Sequence, residues 1–281
     1  MTTPKPYLVL GGRGKTGSRV VDRLAARELP VRLGSRSGTP PFDWTDRTTW
    51  PRILDGVGAA YVTYQPDLAA PGAADALGSF IDHALDAGVG RLVLLSGRGE
   101  EEAEHCERIL QTSGADWTVI RSSWLDQNFS ESFMLDMILA GEVALPVRDV
   151  GEPFIDAEDI ADIAVAALTD DRHIGELYEV TGPRLLSFGD AVAEIGRATG
   201  HEVRLIPLSR EEFADGLAAE GVSGDEAWLL DYLFATVLDG RNERVADGVQ
   251  RALGREPRDF RDYAQVTAAS GIWRPAAGRA A

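Results

Sequence analysis

The sequence predicts an α/β fold: a doubly wound parallel sheet with a smaller, mostly helical C-terminal part. Three observations carry this. Short apolar runs without polar alternation, such as Tyr7–Leu10 and Arg91–Leu95, read as strands buried on both faces. They alternate with segments of helical periodicity, the pattern of βαβ units. The first run also leads through Gly11, Gly14 and Gly17 into Ser18–Arg27, whose Val20, Val21, Leu24 and Ala25 share one helical face.

That opening unit, strand, glycine turn and helix, is the start of a dinucleotide-binding, Rossmann-type domain. Glycines let the backbone approach a pyrophosphate, and the helix N-terminus offers N–H groups and a positive dipole end. The candidate cofactor loop is Gly11, Gly12, Arg13, Gly14, Lys15, Thr16 and Gly17. Gly12, Gly14 and Gly17 also fit G-x-G-x-x-G, which leaves the loop's work unchanged. Gly14-Lys15-Thr16 resembles the end of a Walker A loop, but that motif needs glycine where Val9 stands, so an NTPase is rejected. A glycine turn without a ligand is the competing structural reading.

The second strand is Pro30–Leu33. NAD enzymes usually place an acid just beyond it, to bond the ribose 2′-hydroxyl. Here Ser35 and Arg36 follow, and a guanidinium can fork onto a 2′-phosphate that an acid would repel. The expected cofactor is therefore NADP(H); the plainer alternative is a solvated turn arginine. Phe42–Trp44 reads as a third strand, Ala59–Gln65 as a fourth ended by Pro66, and Ala73–Ala87 as a helix stopped by Gly88. Arg91–Leu95 is the fifth strand, Glu100–Gln111 an acidic-to-mixed helix, and Asp116–Arg121 the sixth strand. Helices are expected over 130–140, Ala157–Leu168, Phe188–Thr199, Arg210–Glu220, Asp225–Leu238 and Asp259–Ala269, with strands at Leu177–Thr181 and near Val203–Ile206. Ligands of such sheets bind beyond the carboxyl ends of the strands. The tips Gly11–Gly17, Tyr64-Gln65-Pro66 and Ser96-Gly97 are thus expected to line one crevice.

Composition bounds the partners. The chain has 281 residues and a formal net charge of −17, which argues against nucleic acid or an anionic membrane surface. Positive charge is dense between Arg13 and Arg36, a contrast that suits an anionic cofactor, though part of it reads as the wet face of the first helix. No run of about 18 apolar residues is present. The start, MTTPKPYLVL, lacks the features of a secretory leader, so a cytoplasmic location is expected. Cys106 is the one cysteine, and the four histidines show no metal-ligand spacing, so no metal is expected. A small-molecule substrate is expected, and a homodimer is left open. Beyond Pro275 the chain is a loose Ala/Gly/Arg tail.

One absence has chemical content. Many short-chain dehydrogenases pair a tyrosine with a lysine four residues on, near the serine after the fifth strand. The only lysines here are Lys5 and Lys15, and no tyrosine lies on the helix after Ser96. Hydride addition to a ketone leaves an alkoxide that needs an acid or an oxyanion donor. Addition to an iminium gives a neutral amine and asks only for positioning. Ser96 and His105 are the candidate catalytic residues if an acid is used; a surface role is the alternative for His105.

These residues resemble the NmrA-like atypical short-chain dehydrogenases. The likeness runs through the glycine loop, Arg36, Arg121-Ser122-Ser123-Trp124 with Asn128-Phe129, and Pro153-Phe154-Ile155 with Asp159-Ile160-Ala161. Within that family the chain is most similar to the festuclavine/agroclavine dehydrogenases of ergot alkaloid biosynthesis, through Phe42-Asp43-Trp44, Gly221-Val222, Asp225-Glu226-Ala227 and the closing Phe260 to Trp273. The resemblance implies an NADP(H)-binding domain over 1–150. A substrate-binding part follows over 151–281, with one helix and one strand returning to the sheet. It also implies NADPH reduction of a cyclic imine or iminium in specialised metabolism, without the Tyr/Lys pair. Trp124 and Asn128 would face substrate; a core aromatic and a helix N-cap are their structural alternatives. Ser122 stands where the family pattern has proline, so substrate identity does not carry over. A carbonyl or quinone reductase and a non-catalytic NADP sensor are the other functional readings.

Overall fold

The structure is a computed structural model and describes residues 4–275; the Ala/Gly/Arg tail beyond Pro275 lies outside the described residues. The chain forms two compact units. One comprises the chain up to Ser122, Ala157–Val180 and Asp247–Arg255; the other comprises Ser123–Asp156, Thr181–Ala246 and the chain from Glu256. This partition differs from a single cut at 150. Residues 123–150 pack with the second unit, and later segments return to the first to complete its sheet.

In the first unit the strands are β1 (Tyr7–Leu10), β2 (Val31–Gly34), β3 (Ala59–Val62), β4 (Arg91–Gly97), β5 (Asp116–Ser122) and, after an excursion, β7 (Glu176–Val180). They form one parallel sheet in the order β2-β1-β3-β4-β5-β7. The chain leaves β1 toward β2 and then crosses to β3 on the other side, so the order reverses between β1 and β3. In open α/β sheets such a switch point is where ligands bind. The expected strand at Phe42–Trp44 does not form. Its apolar residues serve a different end: Phe42 and Trp44 pack against Trp50 and Phe80, with ring centroids 5.1 to 6.4 Å apart. A short apolar run cannot tell a buried strand from a buried aromatic plug.

Every β1 residue from Leu8 to Leu10 is fully buried, as a two-faced sheet requires. Leu8, Leu10, Ala60, Val62, Leu92 and Leu94 point into one core with α3 (Ala73–Asp86) and α4 (Glu101–Thr112). On the opposite face α1 (Lys15–Ala26) packs along α6 (Ala157–Thr169). Arg19 binds Glu158 at 2.7 Å, and Arg23 binds Glu158 and Asp162 at 2.6 Å each. These arginines, part of the basic stretch read as suited to an anionic cofactor, are committed to α6. Arg255, after α10 (Gly248–Leu253), closes the same ladder on Asp159 and Asp162.

The second unit holds α5 (Met134–Ala140), α7 (Phe188–Thr199), α8 (Arg210–Ala219), α9 (Gly224–Tyr232) and α11 (Phe260–Ser270) around Phe129, Phe154, Phe188, Phe234 and Phe260. α7 begins with a capping box between Ser187 and Asp190, and α9 runs on as a π-helical turn over Leu233–Val237. A small parallel sheet pairs β6 (Glu142–Leu145) with β8 (Arg204–Pro207). β6 has only four residues and was not expected from the sequence, although Gly141, in the left-handed region, and Pro146 mark its two ends. Among the described residues no helix is long and apolar enough to cross a membrane.

Candidate active site

The carboxyl edge of the six-stranded sheet carries the candidate site. At the end of β1, Gly11 adopts a left-handed φ of +63°, and a Cβ there would stand 2.4 Å from the Thr63 hydroxyl. The Gly14 N–H donates to the Gly11 carbonyl at 2.7 Å and closes the turn. Gly17, inside the first turn of α1, sits on the loop's own backbone: a Cβ would lie 2.2 Å from the Gly11 carbonyl oxygen. No side chain caps α1, and its first turn contains no acid. The positive end of the helix dipole therefore meets the loop without a local countercharge. This cradle fits the pyrophosphate of a dinucleotide.

Two arginines belong to the region of the β2 exit. Arg13 reaches over from the glycine loop and donates to Ser37 Oγ at 2.8 Å. Arg36 is exposed, and its charge acts on Asp43. The Thr45 N–H and hydroxyl, and then Arg36, hold the Asp43 carboxyl below the usual carboxylate range. Arg13, Ser35 and Ser37 line one concave surface, and the Ser35 hydroxyl is buried without a partner. Of the two arginines, Arg13 lines that surface; Arg36, expected there from the sequence, is not among its lining residues.

Beyond β3, Tyr64 leans on Trp44 with centroids 4.9 Å apart, and Trp44 Nε1 donates to the Thr63 carbonyl at 3.1 Å. Gln65 and Pro66 are exposed at the tip. Burial raises the Tyr64 phenol above its ordinary value. Beyond β4, Ser96 is buried and donates to Glu107 Oε1 at 2.6 Å. Glu107, itself only 1% exposed, also takes the Arg121 fork, with Nε at 2.9 Å and Nη2 at 2.5 Å. Ser96 is thereby tied into a structural knot between β4, α4 and β5. His105 is not brought to it. α4 buries Ala103, Cys106, Glu107 and Leu110, and His105 lies on its exposed face.

Next to Gly97 stands a group that sequence reasoning passed over. Glu100 is 5% exposed, and a Cβ on Gly97 would fall 2.0 Å from its Oε1. Its Oε2 is buried and reached by no donor. Burial first, then the Asp67 carboxylate facing it, push the Glu100 carboxyl well above the ordinary carboxylate range. In the sequence Glu100 opens the run Glu100-Glu101-Glu102, which reads as a solvated helix start. The one hint was a glycine three residues earlier.

In the second unit Trp124 packs edge-on to Phe188 at 5.6 Å and tilts against Phe234 at 5.2 Å, remaining partly exposed. Asn128 lies within the 3₁₀ turn Asp126–Phe129 and does not cap α5, whose N-cap is Phe133.

No protein-family model matches the chain. Agroclavine dehydrogenase of Claviceps fusiformis is 31% identical, across 95% of this chain and 98% of its own length. The chain belongs to the NmrA-like atypical short-chain dehydrogenases/reductases, a family of NAD(P)-dependent oxidoreductases. An uncharacterized oxidoreductase of this kind, YesF of Bacillus subtilis, is 30% identical across 96% of this chain and 97% of its own. The fold is similar to that of the NADPH-dependent quinone oxidoreductase QOR2 of Escherichia coli, solved with NADPH. Its TM-score is 0.75 at 18% identity, covering 92% of this chain and 99% of that one.

Proposed function

We propose that this protein is an NADPH-dependent reductase of a small cyclic imine or iminium substrate. The observation that carries the proposal is the state of Ser96. In a site without the Tyr/Lys pair, the one hydroxyl at the β4 tip is donated to Glu107, so no side-chain hydroxyl there is available to an alkoxide. Such a site suits an acceptor whose reduction ends in a neutral amine. The name of the agroclavine dehydrogenase supports the same direction.

NADPH, when bound, supplies the hydride. The chain's own residues do the rest. Gly11, Gly12, Gly14 and Gly17 let the backbone close on the pyrophosphate, with Lys15 and Thr16 at the uncapped start of α1. Arg13, Ser35 and Arg36 take the 2′-phosphate, each guanidinium as a charged donor. The tips Tyr64-Gln65-Pro66 and Ser96-Gly97 frame the nicotinamide. Trp124 and Asn128 are the candidate substrate contacts.

The test is a fluorescence titration with NADPH and with NADH, followed by addition of 3,4-dihydroisoquinoline while the nicotinamide absorbance is watched. Tight NADPH binding with turnover is the expected result. Tight binding without turnover of an imine, a quinone or a ketone would shift the reading to a cofactor sensor. Absence of binding would overturn the assignment of the glycine cradle.

A further inference from the structure

Glu100 is an ionisable group at the carboxyl edge of the sheet that the cofactor cradle does not use. Glu100 sits at the foot of α4, over the Cα of Gly97, and is almost wholly buried. A carboxylate in such a place normally collects N–H donors or a cation. Here Oε2 has neither. The groups acting on it are themselves acidic: Asp67 from the loop after β3, and Glu102 and Glu107 from α4. Glu107 is already neutralised by Arg121 and Ser96, so its charge is spent elsewhere. Cys106, the nearest thiol, is pushed up to about 11 by burial and by the Glu107, Asp67 and Glu102 carboxylates. Two facing carboxyls without a shared cation can pack only if a proton stands between them. Asp67 is partly exposed and accepts the Ala69 N–H at 2.8 Å, whereas Glu100 is buried and has no donor on Oε2.

We propose that Glu100 is held as a neutral carboxylic acid, hydrogen-bonded to Asp67, and is the proton donor of this site for a neutral C=N acceptor. The inference rests on the reductase reading and extends it: besides an iminium, which needs no proton, the site takes a neutral cyclic imine, protonated as it is reduced by a carboxylic acid rather than a hydroxyl. The balance is simple. The hydride and its electron pair pass to the imine carbon and the C=N π bond opens. The nitrogen takes the Glu100 proton, and the O–H bonding pair stays on the carboxylate. Asp67, at the wet side of the pair, and water behind it return a proton to Glu100. A permanently charged N-alkyl iminium needs no such proton, so the two acceptors separate the donor from the rest of the site.

The experiment uses the full chain. Infrared spectra at neutral pH are recorded with and without NADPH, in water and heavy water, for wild type and Glu100→Gln. The expected result is the C=O stretch of a protonated carboxylic acid, sensitive to heavy water, lost in Glu100→Gln and altered in Asp67→Asn. NADPH affinity, read by fluorescence, serves as the check that Glu100→Gln is folded. Turnover is then compared for 3,4-dihydroisoquinoline, at a pH where it is unprotonated in solution, and for its N-methyl iminium salt. General acids contribute about 10²–10⁴ in rate. Glu100→Gln is therefore expected to lose on the order of 10² more in kcat/KM on the imine than on the iminium. Absence of the carboxylic acid band overturns the proposal, as does an equal loss, or no loss, on both acceptors. Turnover of neither acceptor by the wild-type protein overturns the reductase reading itself, and the band still shows whether the acid was there.

Discussion

Gly17→Ala isolates the physics of the cofactor cradle. Inside a helix, alanine is worth about 0.5–1 kcal/mol over glycine, so propensity alone predicts a more stable protein. The packing opposes this. The added Cβ would meet the Gly11 carbonyl oxygen at 2.2 Å, its carbon at 2.7 Å and the Gly12 Cα at 3.0 Å, all of them backbone atoms that cannot rotate away. Overpacking of this kind costs about 1–3 kcal/mol. Set against the propensity gain, the clash leaves a net cost of up to about 2 kcal/mol, or the loop moves off the helix; both outcomes spoil the cradle. Thermal unfolding should fall by several degrees, at about 2–4 °C per kcal/mol for a chain of this size. The NADPH Kd should rise about tenfold or more, since each 1.4 kcal/mol is a factor of ten. Gly78→Ala is the control. It also lies within a helix, α3, but its Cβ would meet Ile109 Cγ2 at an ordinary 3.5 Å. It should stabilise by about 0.5–1 kcal/mol and leave the Kd alone. A Gly17→Ala protein with wild-type melting and wild-type NADPH affinity would refute the reasoning.

Further outcomes follow from the same geometry. Arg36→Ala and Arg13→Ala should each weaken NADPH by about 1.5–3 kcal/mol, the range of hydrogen bonds to charged groups, and leave NADH nearly untouched; parallel titrations decide this. Ser96→Ala removes one bond to Glu107 and should cost about 1 kcal/mol in a denaturant melt while imine turnover stays within a few-fold, because the hydroxyl anchors the carboxylate and reaches no substrate. Arg184→Met takes from Glu194, 5% exposed, the Nη2 that bonds both its oxygens, and from Asp259 its two-nitrogen fork, and should destabilise by about 3 kcal/mol. The Asp259 carboxyl, depressed chiefly by the Arg184 hydrogen bond, adds stability above its unfolded value that is lost as pH falls through its native one; acid melts of wild type and Arg184→Met should converge there. Glu100 has the opposite sign. Its raised native value means stability present below about 4.5, the ordinary glutamate value, and lost as pH rises through the native one, so Glu100→Gln should gain on wild type toward alkaline pH in urea melts.

The sheet and the cofactor loop were legible because their signals are local. Buried parallel strands are apolar runs, and Tyr7–Leu10, Arg91–Leu95 and Asp116–Arg121 each became a strand within two residues of the expected bounds. The helix Phe188–Thr199 matched to the residue, since Ser187 supplies its capping box and Gly200 its left-handed stop. Failures came where one apolar signal serves two architectures. Phe42–Trp44 looks like a strand and is an aromatic plug, and β6 exists only because β8 lies beside it.

By itself, then, the sequence determined the fold class, the glycine cradle, the arginine after β2 and the lack of a Tyr/Lys pair. Periodicity, glycine spacing and missing residue types are properties of a short stretch or of the whole composition. Only the tertiary structure decided which charges meet. It tied Ser96 to Glu107 and Arg121, turned His105 outward, gave Arg19 and Arg23 to α6, and set Glu100 against Asp67 without a cation. A carboxylate's partner is chosen by the path of the chain, and its charge state by burial. A run of three glutamates reads the same whether the first of them is solvated or buried beside a glycine.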